Sequence, residues 1–271
     1  MNTPFEHDYA PVCNLYERHL GPALFEPYAI DLTRGVATDC LAGDVLEMAC
    51  GTGILTQRLR THLKATVSLT ATDINPGMLA YAQRKLAGVE GIVWRQADIA
   101  DLPFPDASFN VGVCQFGLMF VRDKDRAFRE MRRVLVTHGV LAFSVWDCME
   151  HNPYGVAVHD TVGEFFPDNP PQFFKAPFSF ADITELRRLL TANGFDQLKI
   201  QVVPKACVSN TARGLAIGMI EGAPILAEIQ ARGGSSGPIV DAVTKAFVRI
   251  GGVSPFRSTM QALVVTARAK E

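Results

Sequence analysis

The chain has 271 residues, 48% of them hydrophobic and 20% charged, with a formal net charge of −2. That length accommodates one large domain or a core with substantial insertions. The balance excludes a strongly basic polyanion-binding surface, so no nucleic-acid partner is expected. No apolar run reaches spanning length and residues 1–8 carry no basic-then-apolar leader pattern, so a cytoplasmic protein without a membrane span is expected. The six cysteines, at Cys13, Cys40, Cys50, Cys114, Cys148 and Cys207, form no CxxC pair and stand at no zinc-finger spacing, which predicts small core residues and no metal.

Strand and helix signals alternate from about residue 36 to residue 146. A first apolar run covers 45–50, and helical spacing at Ile54, Leu55 and Leu59 predicts a helix over 54–63. The β-branched run 67–72 reads as a second strand. Asn75-Pro76 then reads as N-cap and first helical residue of a helix to about Leu86. Strands are predicted at 92–97 and 109–116, a helix at 124–135, and a fifth strand over 140–145 opened by Gly139. Such alternation means βαβ units and a mainly parallel sheet.

Beyond residue 146 the pattern loosens. Residues 147–181, rich in Pro, Phe and Asn, read as an insertion with one helix near 156–165. A helix over 182–193 is stopped by Gly194, and 195–203 alternates like a half-buried strand. Residues 204–257 hold a Gly-Gly-Ser-Ser-Gly stretch between two expected helices, and 262–268 reads as the last strand. A segment that long between strands is expected to be functional or disordered.

The chemistry gathers at the ends of the first strands. In Glu47-Met48-Ala49-Cys50-Gly51-Thr52-Gly53, an acid closes an apolar strand and small residues crowd the turn before a helix. There a backbone can approach a ligand closely, because glycine has no Cβ and tolerates positive φ. Asp73 follows at the next strand's end, twenty residues past Gly53, which is the logic of a nucleoside-binding α/β sheet. A nicotinamide-type G-x-G-x-x-G would need a third glycine where the chain has Thr56.

With those residues, the chain resembles the class I S-adenosylmethionine-dependent methyltransferases, in particular the methyltransferase-11 group related to ubiquinone and menaquinone C-methyltransferases. The glycine-turn segment matches the family's acidic-x-Gly-x-Gly-x-Gly motif with Ala49 in place of the first glycine, a methyl group tolerable where φ is negative. Asp73-Ile74 matches the ribose-binding acid and its apolar neighbour, Ala97-Asp98-Ile99 the adenine-edge motif, and Cys114-Gln115-Phe116 the fourth-strand tip beside the methyl group. The run from Arg132 to Leu141 resembles the family's turn into the fifth strand, with Thr137-His138-Gly139 at the turn.

The resemblance implies an α/β, Rossmann-like, doubly wound seven-stranded sheet with the last strand antiparallel. It also implies a cofactor, S-adenosyl-L-methionine, bound by Glu47, Ala49, Cys50, Gly51, Asp73, Ile74, Met78, Asp98, Ile99 and Gln115. Asp73 would accept both ribose hydroxyls, Asp98 the adenine amino group, Glu47 would order the turn or meet the ammonium through water, and Gln115 would position the methionine portion. Residues 1–35 are expected as a helical arm. Residues 36–271 are expected as the binding domain, with helical lid insertions at about 147–181 and 204–257.

The implied reaction is in-line methyl transfer to an O, N or C atom of a small, partly apolar or aromatic acceptor. A binding protein without transferase activity and a macromolecule methyltransferase are the alternatives. No general base is assigned: Tyr9, Tyr16, His19, His151 and Tyr154 are the candidates. No acidic trio suggests a metal. Asn169-Pro170-Pro171-Gln172 reads as a proline-rich loop, and Arg126, Arg129 and Arg133 as one solvated helix face. Oligomeric state is left open.

Overall fold

A computed structural model describes residues 10–39 and 43–271; Tyr9 and Cys40 lie outside them. Its centre is one sheet of seven strands: β1 (Asp44–Met48), β2 (Ser68–Asp73), β3 (Ile92–Gln96), β4 (Phe109–Gln115), β5 (Leu135–Trp146), β6 (Phe195–Ser209) and β7 (Phe256–Ala269). The spatial order is β3-β2-β1-β4-β5-β7-β6. The first five strands pair in parallel, and β7 runs antiparallel between β5 and β6. The expected doubly wound sheet with an antiparallel last strand is therefore present.

The central strands are buried on both faces, which is why they read as continuous apolar runs rather than alternations. Chain order reverses between β1 and β4. A crevice outside the carboxyl ends opens at such a reversal, and ligands of open α/β sheets bind there.

Helices α3 (Ile54–His62), α4 (Pro76–Lys85) and α5 (Lys124–Val134) make the early crossovers. Asn75 Oδ1 accepts from the Gly77 and Met78 amides at 2.8 and 3.2 Å, so α4 is capped by the residues its sequence announced. Asp123 caps α5 through the Arg126 amide at 2.9 Å. Later come α6 (Pro153–Glu164) and α7 (Ile183–Ala192), the latter capped by Asp182 and followed by Gly194 at φ +80°.

Four expectations change. The fifth strand starts at Leu135 rather than Val140, because a bulge between the Phe109–Leu135 and Val111–Val140 pairs, with His138 at φ +62°, carries pairing through the turn. β6 and β7 pair as far as Ser209 and Phe256, beyond the alternating stretch, and so shorten the second insertion. That insertion holds three helices, α8 (Ala212–Glu221), α9 (Ile225–Ala231) and α10 (Ser236–Gly251), not two.

The fourth change concerns Arg133, which is no solvated cation. It donates to Glu130, to Asp106, and to the Leu102 and Phe104 carbonyls at 2.7–2.9 Å, fastening the loop after β3. The proline-rich loop is likewise tied down, with the Asn169 carbonyl accepting from Arg232 at 2.8 Å.

The amino-terminal segment is α1 (Ala10–Leu15), a wide π-helical stretch (Tyr16–Phe25) and α2 (Glu26–Asp39). Pro22 lies inside the wide stretch; it lacks an N–H and its ring crowds the preceding turn, which disfavours ordinary α winding there. This arm spans the molecule. Cys13 meets Met78 of α4 (Sγ–Sδ 3.5 Å), the Tyr81 hydroxyl donates to Asn14 at 3.1 Å, and Lys85 pairs with Glu17. At its other side His19 and Leu20 press on α8 at Gly218, where a Cβ would stand 2.7 Å from each. Further along, the Tyr28 hydroxyl donates to the Val203 carbonyl of β6 at 2.9 Å.

Replacing Arg133 by methionine strips the 102–106 loop of its shared donor while keeping the apolar stem. A thermal melt should show a loss of about 1–3 kcal/mol, the usual worth of charged hydrogen bonds, with the sheet's far-ultraviolet signal unchanged.

Candidate functional site

The glycine turn follows directly from β1. The Cys50 amide donates to the Thr72 carbonyl at 2.8 Å and the Gly53 amide to the Cys50 carbonyl at 2.9 Å, closing the turn against β2. Gly53, at φ +79°, caps α3. Gly51 has φ +55°, and a Cβ built on it meets nothing within 4 Å. The turn thus leaves space beside its backbone.

Asp73 organises that space. Its Oδ2 accepts from the Gly51 amide at 2.7 Å and its Oδ1 from the Asn75 amide at 2.8 Å. One carboxylate therefore sets the distance between the turn after β1 and the turn after β2. Asp73 is only 7% exposed, and burial raises its pKa against the pull of the Asn75 and Gly51 amides. Each carboxylate oxygen has a second acceptor direction, which is what a vicinal diol requires.

Glu47, 1% exposed, is the second buried acid. Its Oε2 has no hydrogen-bond partner, and burial pushes the carboxyl up to about 8, with Asp73 adding to the rise. Two neighbouring acids, one of them with an oxygen that finds no partner among the described residues, suit a ligand that brings hydroxyl donors. A buried polar atom without a partner is costly.

Ala49 overturns an expectation. Its φ is +55°, the left-handed region, not the negative φ at which a methyl group is easily carried. Gly117 makes room: a Cβ there would lie 2.4 Å from the Ala49 methyl and 2.9 Å from Cys114 Sγ. The methyl group that the turn gained is matched by a missing one after β4.

The remaining predicted residues divide. Ile74 is 57% exposed at the tip of β2, an unusual place for a large apolar side chain, and Met78 is half-buried under the arm. Asp98 is exposed and accepts from the Ala100 amide at 2.8 Å, while Ile99 is buried beside it. Cys50 is buried, its thiol pKa raised by burial. Gln115 does not have its amide free: Nε2 donates to the Phe25 carbonyl at 2.7 Å, latching the end of the wide helix to the tip of β4.

Among the candidate bases, Tyr16 stacks on Phe25 with ring centroids 4.9 Å apart, and burial, Glu17 and Asp73 raise its pKa. His19 is wedged against α8 and its pKa is lowered, first by burial and then by Arg18. Tyr154 is buried in an aromatic group with Trp146 and Phe178 and is held far from ionisation by burial. His151 lies beyond β5, beside Asp147 and Cys148.

Sequence reasoning missed Phe116. At φ +52° it turns its ring onto Trp146, stacked at 4.0 Å and 9°, with Phe25 and Tyr28 against the pair. This aromatic cluster, packed in the core, draws on β4, β5 and the arm. Backbone strain of this kind clusters at binding sites.

Residues 46–143 match the family described as "Methyltransferase domain". The chain is 43% identical over 168 residues to the ubiquinone/menaquinone biosynthesis C-methyltransferase UbiE of Saccharophagus degradans, covering 57% of this chain and 68% of that protein. It is 41% identical over 106 residues to the UbiE of Xanthomonas oryzae, covering 37% of this chain. There the chain spans 42% of the relative's length. Among solved structures, phosphoethanolamine N-methyltransferase 2 of Haemonchus contortus in complex with S-adenosyl-L-methionine shares the fold, with TM-score 0.61 and 11% identity over 96% of this chain and 57% of that one.

Two measurements follow from the geometry. Gly117→Ala should cost about 1–3 kcal/mol of stability through overpacking, and adding Ala49→Gly should restore part of it; denaturant melts of the two single variants and the double variant read the coupling. For Glu47, the folded pKa lies above the ordinary value, so the native state holds the extra proton between about 4.5 and 8 and stability falls as pH rises through that window. In Glu47→Gln the decline in melting temperature across that window should be visibly shallower.

Proposed function

The chain belongs to the S-adenosylmethionine-dependent methyltransferases, and from that premise we propose that it transfers a methyl group to a small, partly apolar or aromatic acceptor. The observation that carries this reading is Asp73, buried between the Gly51 and Asn75 amides and facing the open side of a glycine turn. The residues fit the cofactor on their own chemistry: a diol acceptor, an orphaned buried carboxyl oxygen at Glu47, and open space at Gly51.

S-adenosylmethionine, when bound, supplies a methyl group on a sulfonium that an in-line nucleophile displaces. The chain's own part is binding, orientation and exclusion of water. Asp73 takes the ribose hydroxyls, Ile74 offers its exposed apolar face to the purine, and Asp98 and Ile99 hold the purine edge. Asp73 supplies acceptor oxygens for hydroxyl donors, and Glu47, held protonated by its burial, offers a polar group beside the turn. Orientation alone is worth about 7–11 kcal/mol of a bimolecular barrier, so the reaction does not depend on a strong base.

The arm and the two insertions act as the lid. Gln115 and Phe25 join the arm to the tip of β4, Glu17 and Lys85 join it to α4, and Leu20 meets α8 at Gly218. Closure by such elements keeps water from the reacting atoms. The aromatic cluster of Phe25, Tyr28, Phe116 and Trp146 favours a flat or apolar acceptor over a polynucleotide. Among the described residues no helix is long and apolar enough to cross a membrane, and five described cysteines are free thiols, which suits the reducing cytoplasm.

Calorimetry with S-adenosylhomocysteine tests the site. Asp73→Ala should weaken binding at least about 100-fold, the worth of one or two charge-assisted hydrogen bonds. Ile74→Lys, at an exposed position that leaves the fold intact, should weaken it as well; equal affinity in wild type and both variants rejects the assignment. Transfer of labelled methyl from cofactor into fractionated extracts, with the product identified by mass, tests the activity. Tight binding with no labelled product would leave a binding protein instead.

A further inference from the structure

β5 ends at Trp146, and the next residues place three unlike donor side chains on one turn. His151 Nδ1 lies 3.2 Å from Cys148 Sγ and 3.2 Å from Asp147 Oδ2. All three donor atoms lie within 4.8 Å of one another. The ring nitrogen that meets the thiol is the same one that meets the carboxylate. A neutral imidazole nitrogen carries either a proton or a lone pair, so it cannot donate to the carboxylate and accept from the thiol at once. Nor is this a nucleophile relay, which would put thiol and carboxylate on opposite ring nitrogens.

We propose that Asp147, Cys148 and His151 form a binding site for a divalent transition-metal ion of the zinc class. One thiolate, one imidazole and one carboxylate are a borderline-soft N, O, S set, which favours zinc over magnesium or calcium. Tetrahedral zinc with bonds of about 2.0–2.3 Å separates neighbouring donor atoms by about 3.3–3.6 Å. The two 3.2 Å spacings from His151 lie just short of that range, and the third pair lies within 4.8 Å. Three protein ligands leave a fourth position for water or another ligand. His151 and Cys148 are partly exposed, which gives an ion access from solvent.

The turn is rigid before any ion arrives. Asp147 Oδ2 accepts from Gln261 Nε2 at 2.6 Å and Oδ1 from the Cys148 amide at 2.7 Å. Buried Asn152 donates to the Cys148 carbonyl at 3.1 Å and to the Gln261 carbonyl at 3.2 Å, and accepts from the Gln261 amide at 3.0 Å. These contacts pin the carboxylate and the loop to β7, in the way outer-shell partners orient metal ligands. The other four described cysteines are buried, so Cys148 is the one described thiol open to a metal.

The test uses the full untagged chain and cobalt(II) as an optical probe, with zinc as competitor. Cobalt should bind one-to-one with a sulfur-to-metal charge-transfer band and intense visible bands of tetrahedral coordination, both erased by micromolar zinc. Cys148→Ser should remove the charge-transfer band, and His151→Ala should weaken zinc binding at least about 100-fold. Gln261→Leu, which touches no metal, should weaken it about 10–100-fold. Far-ultraviolet spectra confirm that each variant folds. Octahedral cobalt spectra, binding unchanged in both Cys148→Ser and His151→Ala, or no binding to the wild-type chain at micromolar zinc would each overturn the proposal. None of these readouts depends on methyl transfer, so failure here stays separate from failure of the proposed function.

Discussion

The carboxylate of Asp73 is the contact on which the site depends. It is buried, it carries no cationic partner, and it spends its two oxygens on backbone amides from different turns. Those two bonds hold the glycine turn of β1 beside the start of α4. An acid in that position is energetically awkward, because burial penalises its charge. Each oxygen keeps a second acceptor direction, which suits a partner that brings hydroxyl donors. Glu47, its pKa also raised by burial and its Oε2 without a partner among the described residues, is the second such acid.

Around that contact the molecule is arranged as a clamp. One end of the arm is fixed to α4 through Cys13, Asn14 and Glu17, its middle to α8 through His19 and Leu20, and its end to β4 through Phe25. The cofactor side and the second insertion are therefore mechanically joined through a single helical segment. The wide winding of this segment follows from the proline inside it, which disfavours ordinary α winding.

Packing supplies a second lesson at Ala49 and Gly117. A left-handed alanine costs energy, and its methyl would collide with any side chain at position 117. The two residues work as one unit whose members are sixty-eight positions apart. Phe116, also left-handed, owes its inward ring to the same turn. Strain at the tips of β1 and β4 is thus concentrated on both sides of the crevice where chain order reverses.

The sequence by itself determined the alternation of strands and helices through residue 146, the cap at Asn75, the stop at Gly194, and the acid-glycine-acid series at the strand tips. These are local signals: periodicity, capping chemistry and glycine need only neighbours within a few residues. Strand ends past Gly194 were less legible, because β6 and β7 stabilise each other beyond the alternating stretch. Arg133 read as a surface cation because nothing local revealed the three acceptors, Leu102, Phe104 and Asp106, waiting across the loop. Only the tertiary structure decided that Gln115 latches the arm, that Ala49 is left-handed opposite Gly117, and that Asp147, Cys148 and His151 share one point in space. The reason is the same in each case: the partner that sets the residue's role lies on another element or on a turn whose shape is set by another element, and pattern along the chain carries no information about which surfaces meet.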